Sequence, residues 1–258
     1  MKPGQSGLIG AGGLGKSFLA RMPGVLRSLG PIKATSPRVA RRIGNSLRAG
    51  RPVKGYAELS ECALVWIALP EAALDGVLRE FSAEANPEGK MIVVCGRRRE
   101  SESFRKLAPG ARIATLDAIP GDEGILVAEG DAAVLREIRR LAWAERRRLI
   151  EIPSSAKALY SAAVHLASEL LLPCFSAAVE TLRDAGFSRS QATRVAEGLG
   201  LRTIRAYVKA GRKVWNAATA VDLRLARERD LAAIRAANPA RAAVYDHAIQ
   251  QALRYFNG

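Results

Sequence analysis

"GAGGLGKS", residues 10–17, follows a short apolar run and fits two glycine patterns that lead to different chemistry. With glycine at its first, third and sixth positions, it has the G-x-G-x-x-G spacing of a dinucleotide-binding turn. With Lys16 and Ser17 after the sixth position, it also has the G-x-x-x-x-G-K-S spacing of a nucleoside-triphosphate loop. Both direct backbone N–H groups and the positive end of a helix toward phosphate oxygens. The stretch therefore predicts an anion-binding turn of one kind or the other.

Up to residue 153 the chain alternates between short apolar runs, typical of buried strands, and longer amphipathic patterns, typical of helices. This alternation, with a glycine-rich turn directly after the first run, predicts an α/β fold with a doubly wound sheet of the Rossmann type. Strands are expected over residues 6–10, 31–37, 63–69, 90–96, 111–117, 124–130 and 147–153, and helices over 13–22 (ended by Pro23), 71–84 and 131–144.

After residue 153 the apolar period becomes helical, and no further strand pattern occurs. Residues 154–186 form one long helical pattern with a kink expected at Pro173, because proline interrupts the hydrogen bonding of a helix interior. The chain is therefore expected to end in an all-α domain. The expected divisions are a dinucleotide-binding domain over 1–152 and a helical domain over 153–258, with helix breaks near Gly211 and at Asn238–Pro239.

The second strand favours the dinucleotide interpretation of the glycine-rich turn. A triphosphate hydrolase needs a buried strand ending in aspartate to hold magnesium, and only Asp117, after a weak strand pattern, is a candidate. A Rossmann unit needs a strand about 20 residues further on whose end contacts the adenosine ribose. "IKATSPR", residues 32–38, occupies that place. A P-loop ATPase stays as the less favoured alternative.

The end of the second strand predicts which dinucleotide binds. A unit specific for NAD places a carboxylate there, which repels a 2′-phosphate. This chain has Thr35, Ser36 and Arg38 at that point and no acidic residue before Glu58. Hydroxyls leave room for a phosphate and donate to it, and a guanidinium can bind it with two hydrogen bonds. We therefore expect NADP as cofactor, the alternative being that Arg38 is one more surface arginine in an arginine-rich chain.

The formal charge of +15 raises the question of an acidic partner. The 31 arginines greatly outnumber the 9 lysines, in a chain also rich in Ala, Leu and Gly, as expected from the codon bias of a GC-rich genome. The arginine clusters 41–42, 97–99 and 146–148 belong to different elements and are not interleaved with aromatic residues. A solvated basic surface, or a field for a phosphate-bearing ligand, is therefore expected rather than nucleic-acid binding.

Cysteines and apolar stretches indicate a cytoplasmic protein. Cys62, Cys95 and Cys174 are odd in number and far apart, which suits reduced thiols rather than disulfides or zinc. With only two histidines, no metal site is expected. "SGLIGAGG" (6–13) is too short and glycine-rich for a signal peptide. The apolar stretch 160–179 contains histidine, glutamate and proline, so a buried helix is expected rather than a membrane span.

Three stretches together carry a resemblance: "GLIGAGGLGKSFLARM" (7–22), "VWIALPEAALDGVLREF" (65–81) and "KALYSAAVHLASELLLPCFSAAVETLRDAGF" (157–187). Over roughly residues 5–210 the chain resembles NADP-dependent reductases of the pyrroline-5-carboxylate reductase and deazaflavin-dependent NADP oxidoreductase kind. It is more distantly similar to ketopantoate reductase and the 3-hydroxyacid dehydrogenases. The resemblance implies hydride transfer to or from a small carbonyl, imine or hydroxy-acid substrate held between the domains. It also implies a homodimer formed through the C-terminal helices.

The resemblance also assigns roles to individual residues. It implies a pyrophosphate-binding turn after the first strand, a turn after the fourth strand on the adenine-ribose and nicotinamide side, and a fifth-strand end near the nicotinamide. Lys157 matches a lysine that helps to polarise the substrate in the hydroxyacid dehydrogenases and ketopantoate reductase. The cofactor-binding candidates are Gly10, Gly12, Gly13, Leu14 and Gly15 in the first turn, Thr35, Ser36 and Arg38 after the second strand, Ala68, Leu69 and Pro70 after the fourth, and Cys95 and Gly96 after the fifth.

The candidate catalytic residues are Lys157, Tyr160 and His165, all on the first long helical pattern after the sheet. Each also has an ordinary structural explanation: a solvated lysine in a first helical turn, a packed tyrosine and a hydrogen-bonded core histidine. The resembled families carry histidines where this chain has "VVCGRRRE" (93–100) and "LDAIPGDE" (116–123). The substrate pocket has therefore been rebuilt, or the chain is a catalytically silent dinucleotide-binding sensor or assembly protein.

Overall fold

Eight strands form one sheet in the first of two compact units, Met1–Ala162 and Ala163–Gly258, into which the chain divides. The computed structural model describes residues 6–10, 22–119 and 124–257. The strands lie in the order β3-β2-β1-β4-β5-β6-β7-β8, so β3 and β8 form the edges. They are β1 (Ser6–Gly10), β2 (Leu29–Lys33), β3 (Arg51–Pro52), β4 (Leu64–Ala68), β5 (Met91–Cys95), β6 (Arg112–Ala118), β7 (Ile125–Gly130) and β8 (Arg148–Glu151).

The first six strands are parallel, and the direction of the sheet reverses between β6 and β7. Only six residues join Ala118 to Ile125, and a parallel crossover needs a dozen or more. The last pair, β7 and β8, is again parallel. The predicted α/β fold with a doubly wound sheet is confirmed, and the sequence patterns did not predict the reversal. The carboxyl ends of β1 to β6 consequently share one edge of the sheet.

Helices cover both faces of the sheet, which gives three layers with the sheet in the middle. One core joins Leu8, Trp66 and Val93 of the strands to α1 (Pro23–Ser28), α2 (Pro37–Leu47) and α4 (Ala132–Ala144). The other joins Ile9, Ile67 and Ile92 to α3 (Glu71–Ala85) and to the short helical turns Tyr56–Leu59 and Ser101–Phe104. Central strands that are apolar on both faces are typical of parallel sheets, whose crossover helices cover both sides.

Two predicted boundaries near the N-terminus differ from the structure. The second strand was expected over 31–37, but β2 ends at Lys33 because Ser36 caps α2, its Oγ accepting a hydrogen bond from Val39 N at 3.3 Å. The helix expected over 13–22 lies almost wholly outside the described residues. Pro23, predicted to end that helix, instead begins α1, since proline suits a first helical turn where the N–H has no partner.

The second unit is helical, and no strand occurs among its described residues, as predicted. The kink predicted at Pro173 is wrong: the break comes earlier, at Ser168 (φ −130°, ψ −92°), and Pro173 lies in the first turn of the next helix. The predicted breaks at Gly211 and Asn238 are present. The helices are α5 (Lys157–Ala167, which crosses the division between the units), α6 (Leu172–Asp184), α7 (Arg189–Ala210), α8 (Ala217–Ala237) and α9 (Pro239–Asn257).

One segment, Ser154–Asp184, is long and apolar enough to cross a membrane, judged by length and composition alone. None of the residues in its most apolar window is buried, so the prediction that residues 160–179 form a buried helix is wrong. Large side chains are exposed here, among them Leu166 (63%), Leu172 (62%) and Phe175 (38%). The apolar composition of this segment is real, but its side chains are exposed to solvent and are not covered by other residues that the structure describes.

Candidate active site

The shared carboxyl edge of β1 to β6 contains the switch point of the sheet. From β1 the chain moves outward to β2 and β3 and then returns to β4 on the other side of β1. Open α/β sheets bind their ligands outside the carboxyl ends of strands at such a point. Gly10, the last residue of β1, pairs there with Ala68, the last residue of β4. Gly96 follows β5 at the same edge and donates its N–H to Leu116 O at 2.9 Å.

The described cofactor-binding candidates lie along this edge. Ala68 and Leu69 are buried, and Pro70 is the exposed residue that precedes α3. Thr35 and Arg38 are exposed at the start of α2, with Ser36 half-buried between them. Four further candidates, Gly12, Gly13, Leu14 and Gly15, lie outside the described residues.

Lys157 is fully buried at the start of α5. Its Nζ donates to the carbonyl oxygen of Gly96 at 3.1 Å and to Thr115 Oγ1 at 2.6 Å. The alternative of a solvated lysine is therefore wrong. Of the sequence-predicted residues, Lys157 and Gly96 are brought into direct contact.

Glu129 lies at the centre of the polar cluster around Lys157. It faces Thr115 across the antiparallel β6–β7 pair, so both side chains project from the same face. The fully buried carboxylate accepts hydrogen bonds from Thr115 Oγ1 (2.7 Å), Ser154 Oγ (2.7 Å), and the backbone N–H (2.7 Å) and Oγ (2.9 Å) of Ser101. Gly130 follows at φ +134°, where a Cβ would stand 2.4 Å from Ile113 O, so only glycine fits directly after Glu129.

The charges of this cluster are set by burial and hydrogen bonding. Burial alone would raise the pKa of Glu129, but the hydrogen bonds from Thr115, Ser154 and Ser101 more than offset it and hold that pKa below its ordinary value. Burial lowers the pKa of Lys157, while nearby carboxylates, with Glu129 the strongest, act in the opposite direction. The Thr115 hydroxyl accepts from Lys157 and donates to Glu129, which fixes the direction of the chain of hydrogen bonds.

Tyr160 and Asp117 form a second pair, one helical turn from Lys157. The Tyr160 hydroxyl donates to Asp117 Oδ2 at 2.7 Å, and Lys157 Nζ lies 5.9 Å from the centre of the tyrosine ring. Burial and the carboxylate of Asp117 raise the pKa of Tyr160, so the phenol keeps its proton at neutral pH. Both side chains are only half-buried. The same two causes raise the pKa of the Cys95 thiol, which argues against a thiolate nucleophile.

His165 does not join this cluster. It lies on α5 beyond the division between the units, half-buried, and its ring makes no hydrogen bond with any residue that the structure describes. No group of three or more potential metal ligands occurs within 6–10, 22–119 and 124–257.

Sequence reasoning did not find Thr115 or Glu129. Glu129 carried a signal, since it is a carboxylate inside the apolar strand "ILVAEG", where a charge needs partners. Its partners could not be inferred, because they depend on cross-strand register and on two serines from distant loops. Asp117, considered as a magnesium ligand, instead accepts the Tyr160 hydroxyl.

No protein-family model matches the chain, and no curated protein sequence matches it. Solved structures are similar to it over nearly their whole length. A protein of Bacteroides fragilis assigned as an NADP oxidoreductase shares 15% identity over 96% of each chain, with a TM-score of 0.72. An imine reductase of Myxococcus stipitatus in complex with NADP+ shares 16% identity over 97% of this chain and 94% of that one, with a TM-score of 0.68.

A 1-pyrroline-5-carboxylate reductase of Streptococcus pyogenes is also similar, with 13% identity over 96% of this chain and 97% of that one and a TM-score of 0.63. At these identities the similarity establishes a shared fold, that of a Rossmann-type α/β sheet followed by a helical region. The chemistry has to be argued from the site.

Two substitutions at Thr115 should separate the contribution that its hydroxyl, which links Lys157 to Glu129, makes to stability from the contribution of its methyl group. We expect Thr115→Val to destabilise the protein by about 3 kcal/mol, because it leaves a buried amine and carboxylate each short of a partner. Thr115→Ser keeps the hydroxyl and should cost about 1 kcal/mol for the lost methyl group. Urea denaturation at pH 7 measures both, and equal losses would show that the hydroxyl contributes nothing.

The same measurement at lower pH tests the ionisation of Glu129. Because its pKa is lowered by folding, its contribution is present at neutral pH and is lost as the pH falls from about 5 through the folded-state value. The Thr115→Ser protein should follow the wild-type decline between pH 7 and 4. The Thr115→Val protein should decline less over that range, since it begins without the hydrogen bond that lowers this pKa.

Proposed function

We propose that the protein is an NADP(H)-dependent oxidoreductase that reduces a small imine, with the carbonyl and hydroxy-acid substrates of related chemistry less favoured. The observation that carries this proposal is the cluster around Lys157, placed at Gly96 beside the switch point of a Rossmann sheet. The similarity to an imine reductase solved with NADP+ supports it, at the level of the fold.

The end of β2 fits a 2′-phosphate. Thr35 and Arg38 are exposed there, and Arg38 makes no ion pair with a carboxylate among the residues that the structure describes. The Ser36 oxygen accepts from Val39 N with a lone pair, which leaves its hydroxyl proton free to donate. These three residues would hold the phosphate, and the glycine-rich turn would hold the pyrophosphate. NADPH, when bound, supplies the hydride.

The protein's own residues would supply the proton and position the reacting groups. Reduction of an imine needs a proton at nitrogen. Tyr160 is half-buried and keeps its proton, which it donates to Asp117, and a substrate nitrogen that takes the place of this acceptor would receive the proton. Lys157 is fully buried, so it acts through its neighbours: it fixes the Gly96 carbonyl and places a positive charge behind Tyr160. We therefore assign Tyr160 as the proton donor and Lys157 as a positioning residue.

The charge around Lys157 favours a substrate that becomes positively charged during the reaction. Three carboxylates act on this amine, those of Glu129, Asp117 and Glu100, while Arg97 is the further cation that acts on Tyr160. An excess of carboxylates is unexpected in a chain with a net charge of +15. The positive charge that develops on the imine nitrogen as it takes a proton is stabilised at such a site, whereas the carboxylate of a 2-oxo acid is repelled by it.

One observation favours the alternative of a catalytically silent dinucleotide-binding protein. The Lys157 cluster is satisfied internally and fully buried, as a purely structural cluster would be. The two functions differ in turnover, since both bind NADPH.

We also propose a homodimer formed through the C-terminal helices, in the cytoplasm. The apolar side chains exposed on α6 and α7 support association, among them Leu172 (62%) and Val208 (81%), because a solvent-exposed apolar surface of this extent is unusual in a monomer. The cysteines Cys62, Cys95 and Cys174 are all free, as expected in a reducing compartment.

Cofactor preference tests the site at the end of β2. NADPH should bind at least about tenfold more tightly than NADH, since each charge-assisted hydrogen bond contributes about 1.5–3 kcal/mol. Arg38→Ala should lose most of this preference while its affinity for NADH stays nearly constant. Arg136→Ala, at another exposed arginine, serves as the control. Isothermal titration measures all affinities, and equal binding of the two dinucleotides by the wild type would contradict the proposal.

Turnover tests the assignment of Tyr160 and the substrate class. With NADPH, the protein should reduce cyclic imines faster than 2-oxo acids of similar size. Tyr160→Phe should lower kcat about a hundredfold, as expected for loss of a proton donor, with NADPH affinity unchanged. Asp117→Asn should lower kcat/KM for a cyclic imine, because a carboxylate that stabilises the protonated nitrogen is lost. Tight NADPH binding without turnover of any substrate in the panel would instead support the silent alternative.

Light scattering tests the dimer. We expect a dimer at micromolar concentration and a shift toward monomer in Leu172→Glu, which places a charge on the exposed apolar surface. Trp143→Glu is the matched control, since Trp143 is an exposed apolar residue (85%) on α4 of the first unit. A wild-type monomer at this concentration would refute the proposal.

A further inference from the structure

The positive charge of this chain is distributed unevenly. Residues 1–57 contain eleven lysines and arginines and no aspartate or glutamate. The remaining 201 residues contain 29 basic and 25 acidic side chains, so most of the net charge of +15 comes from the first 57 residues. Codon bias accounts for arginine in place of lysine, but it does not remove carboxylates. The asymmetry therefore needs a separate explanation.

The exposed face of α2 carries this charge on the described surface. Arg38, Arg41 and Arg42 are exposed and fall on one side of the helix, opposite the buried residues Ala40 and Ile43. Arg48, in the left-handed conformation (φ 50°), caps the helix and is also exposed. None of these four arginines forms an ion pair with a carboxylate in the part of the chain that the structure describes. A row of uncompensated guanidinium groups results.

The row ends in a groove beside the edge strand. The groove, of about 560 Å³, is lined by Arg41, Asn45 and Arg48 and by the chain at Gly50 and Pro52. It lies at the carboxyl end of α2, whereas Ser36 and the proposed 2′-phosphate site lie at the amino end. An α-helix of 11 residues is about 16 Å long. The arginines therefore extend well beyond what the cofactor requires.

The chemistry of this surface points to a phosphate backbone. A protein partner is usually held by buried apolar or aromatic anchors. Among the described residues before Trp143, no large hydrophobic side chain is exposed. The same absence leaves no aromatic platform on which single-stranded bases could stack. A guanidinium, by contrast, binds phosphate oxygens with two parallel hydrogen bonds.

The sequence alone did not favour nucleic-acid binding, but the placement of these arginines on one face does. We propose that the arginine face of α2 (Arg38, Arg41, Arg42 and Arg48), with the groove beside β3, binds the backbone of double-stranded nucleic acid without sequence preference. A duplex carries one negative charge for about every 1.7 Å of its axis, so a helix of about 16 Å faces more phosphates than it has arginines. Four contacts neutralise up to four phosphates. This proposal does not depend on the oxidoreductase activity.

Salt dependence provides the test. The full chain is titrated against a fluorescein-labelled DNA duplex of about 20 base pairs, with anisotropy recorded between about 50 and 200 mM salt. Four phosphate contacts predict a slope of about −3.6 for log affinity against log salt concentration. The double variant R41A/R48A should reduce the slope to about −1.8 and weaken binding at every salt concentration. Circular dichroism melting shows that each variant folds.

A matched variant distinguishes binding by this surface from an effect of the protein's total net charge. R112A/R136A removes two arginines that are also exposed in the first unit, and it should leave the slope unchanged. Equal losses in the two double variants would overturn the proposal, because binding would then follow total charge. Equally tight binding of an acidic poly-glutamate peptide would overturn it in favour of a protein partner. Because Arg38 is shared with the proposed 2′-phosphate site, saturating NADPH should remove one contact and reduce the slope to about −2.7. Complete displacement of the duplex by NADPH would assign the binding to the cofactor edge and overturn the proposal as well.

Discussion

The carboxylate of Glu129 is the point at which distant parts of the first unit meet. A buried charge is unfavourable unless it is paired and hydrogen-bonded, and here Ser101, Thr115 and Ser154 supply four hydrogen bonds to it. These donors come from the loop after β5, from β6 and from the turn before α5. Lys157 supplies the opposite charge and is connected to Glu129 through the Thr115 hydroxyl. The carboxyl edge of the sheet and the first turn of α5 are therefore held by one negative charge.

Local patterns were sufficient for most elements of the fold, because apolar period and turn residues act over a few neighbours, but they did not predict α1, α2 or β3. They predicted the parallel strands around "GAGGLGKS" and the helical second unit. They failed where a local pattern is compatible with more than one structure. The break at Ser168 rather than Pro173 is one example, since proline is compatible with the start of α6. The reversal at β7 is another, because strand direction depends on the length of a connection.

The candidate site was predictable in the same partial way. Lys157 was identifiable through the resemblance to dehydrogenases that carry a lysine at this point, and Tyr160 because it follows one helical turn later. The structure brings Lys157 to Gly96. Thr115 and Glu129 were not identifiable, since a cross-strand pair depends on register, which no local pattern encodes. The exposed apolar surface of α6 was misjudged for a related reason. Apolar composition predicts burial, but it does not show whether this chain supplies the covering residues.

The two edges of the sheet limit how copies of this protein can associate. Natural sheets avoid uncontrolled strand addition by keeping edge strands short, charged or interrupted by proline. β3 has two residues, one of them Pro52, and β8 places Arg148 and Glu151 on its exposed surface. Neither edge offers a long template of unpaired backbone groups. Growth of the sheet into fibrils or into a continuous intermolecular sheet is thereby discouraged.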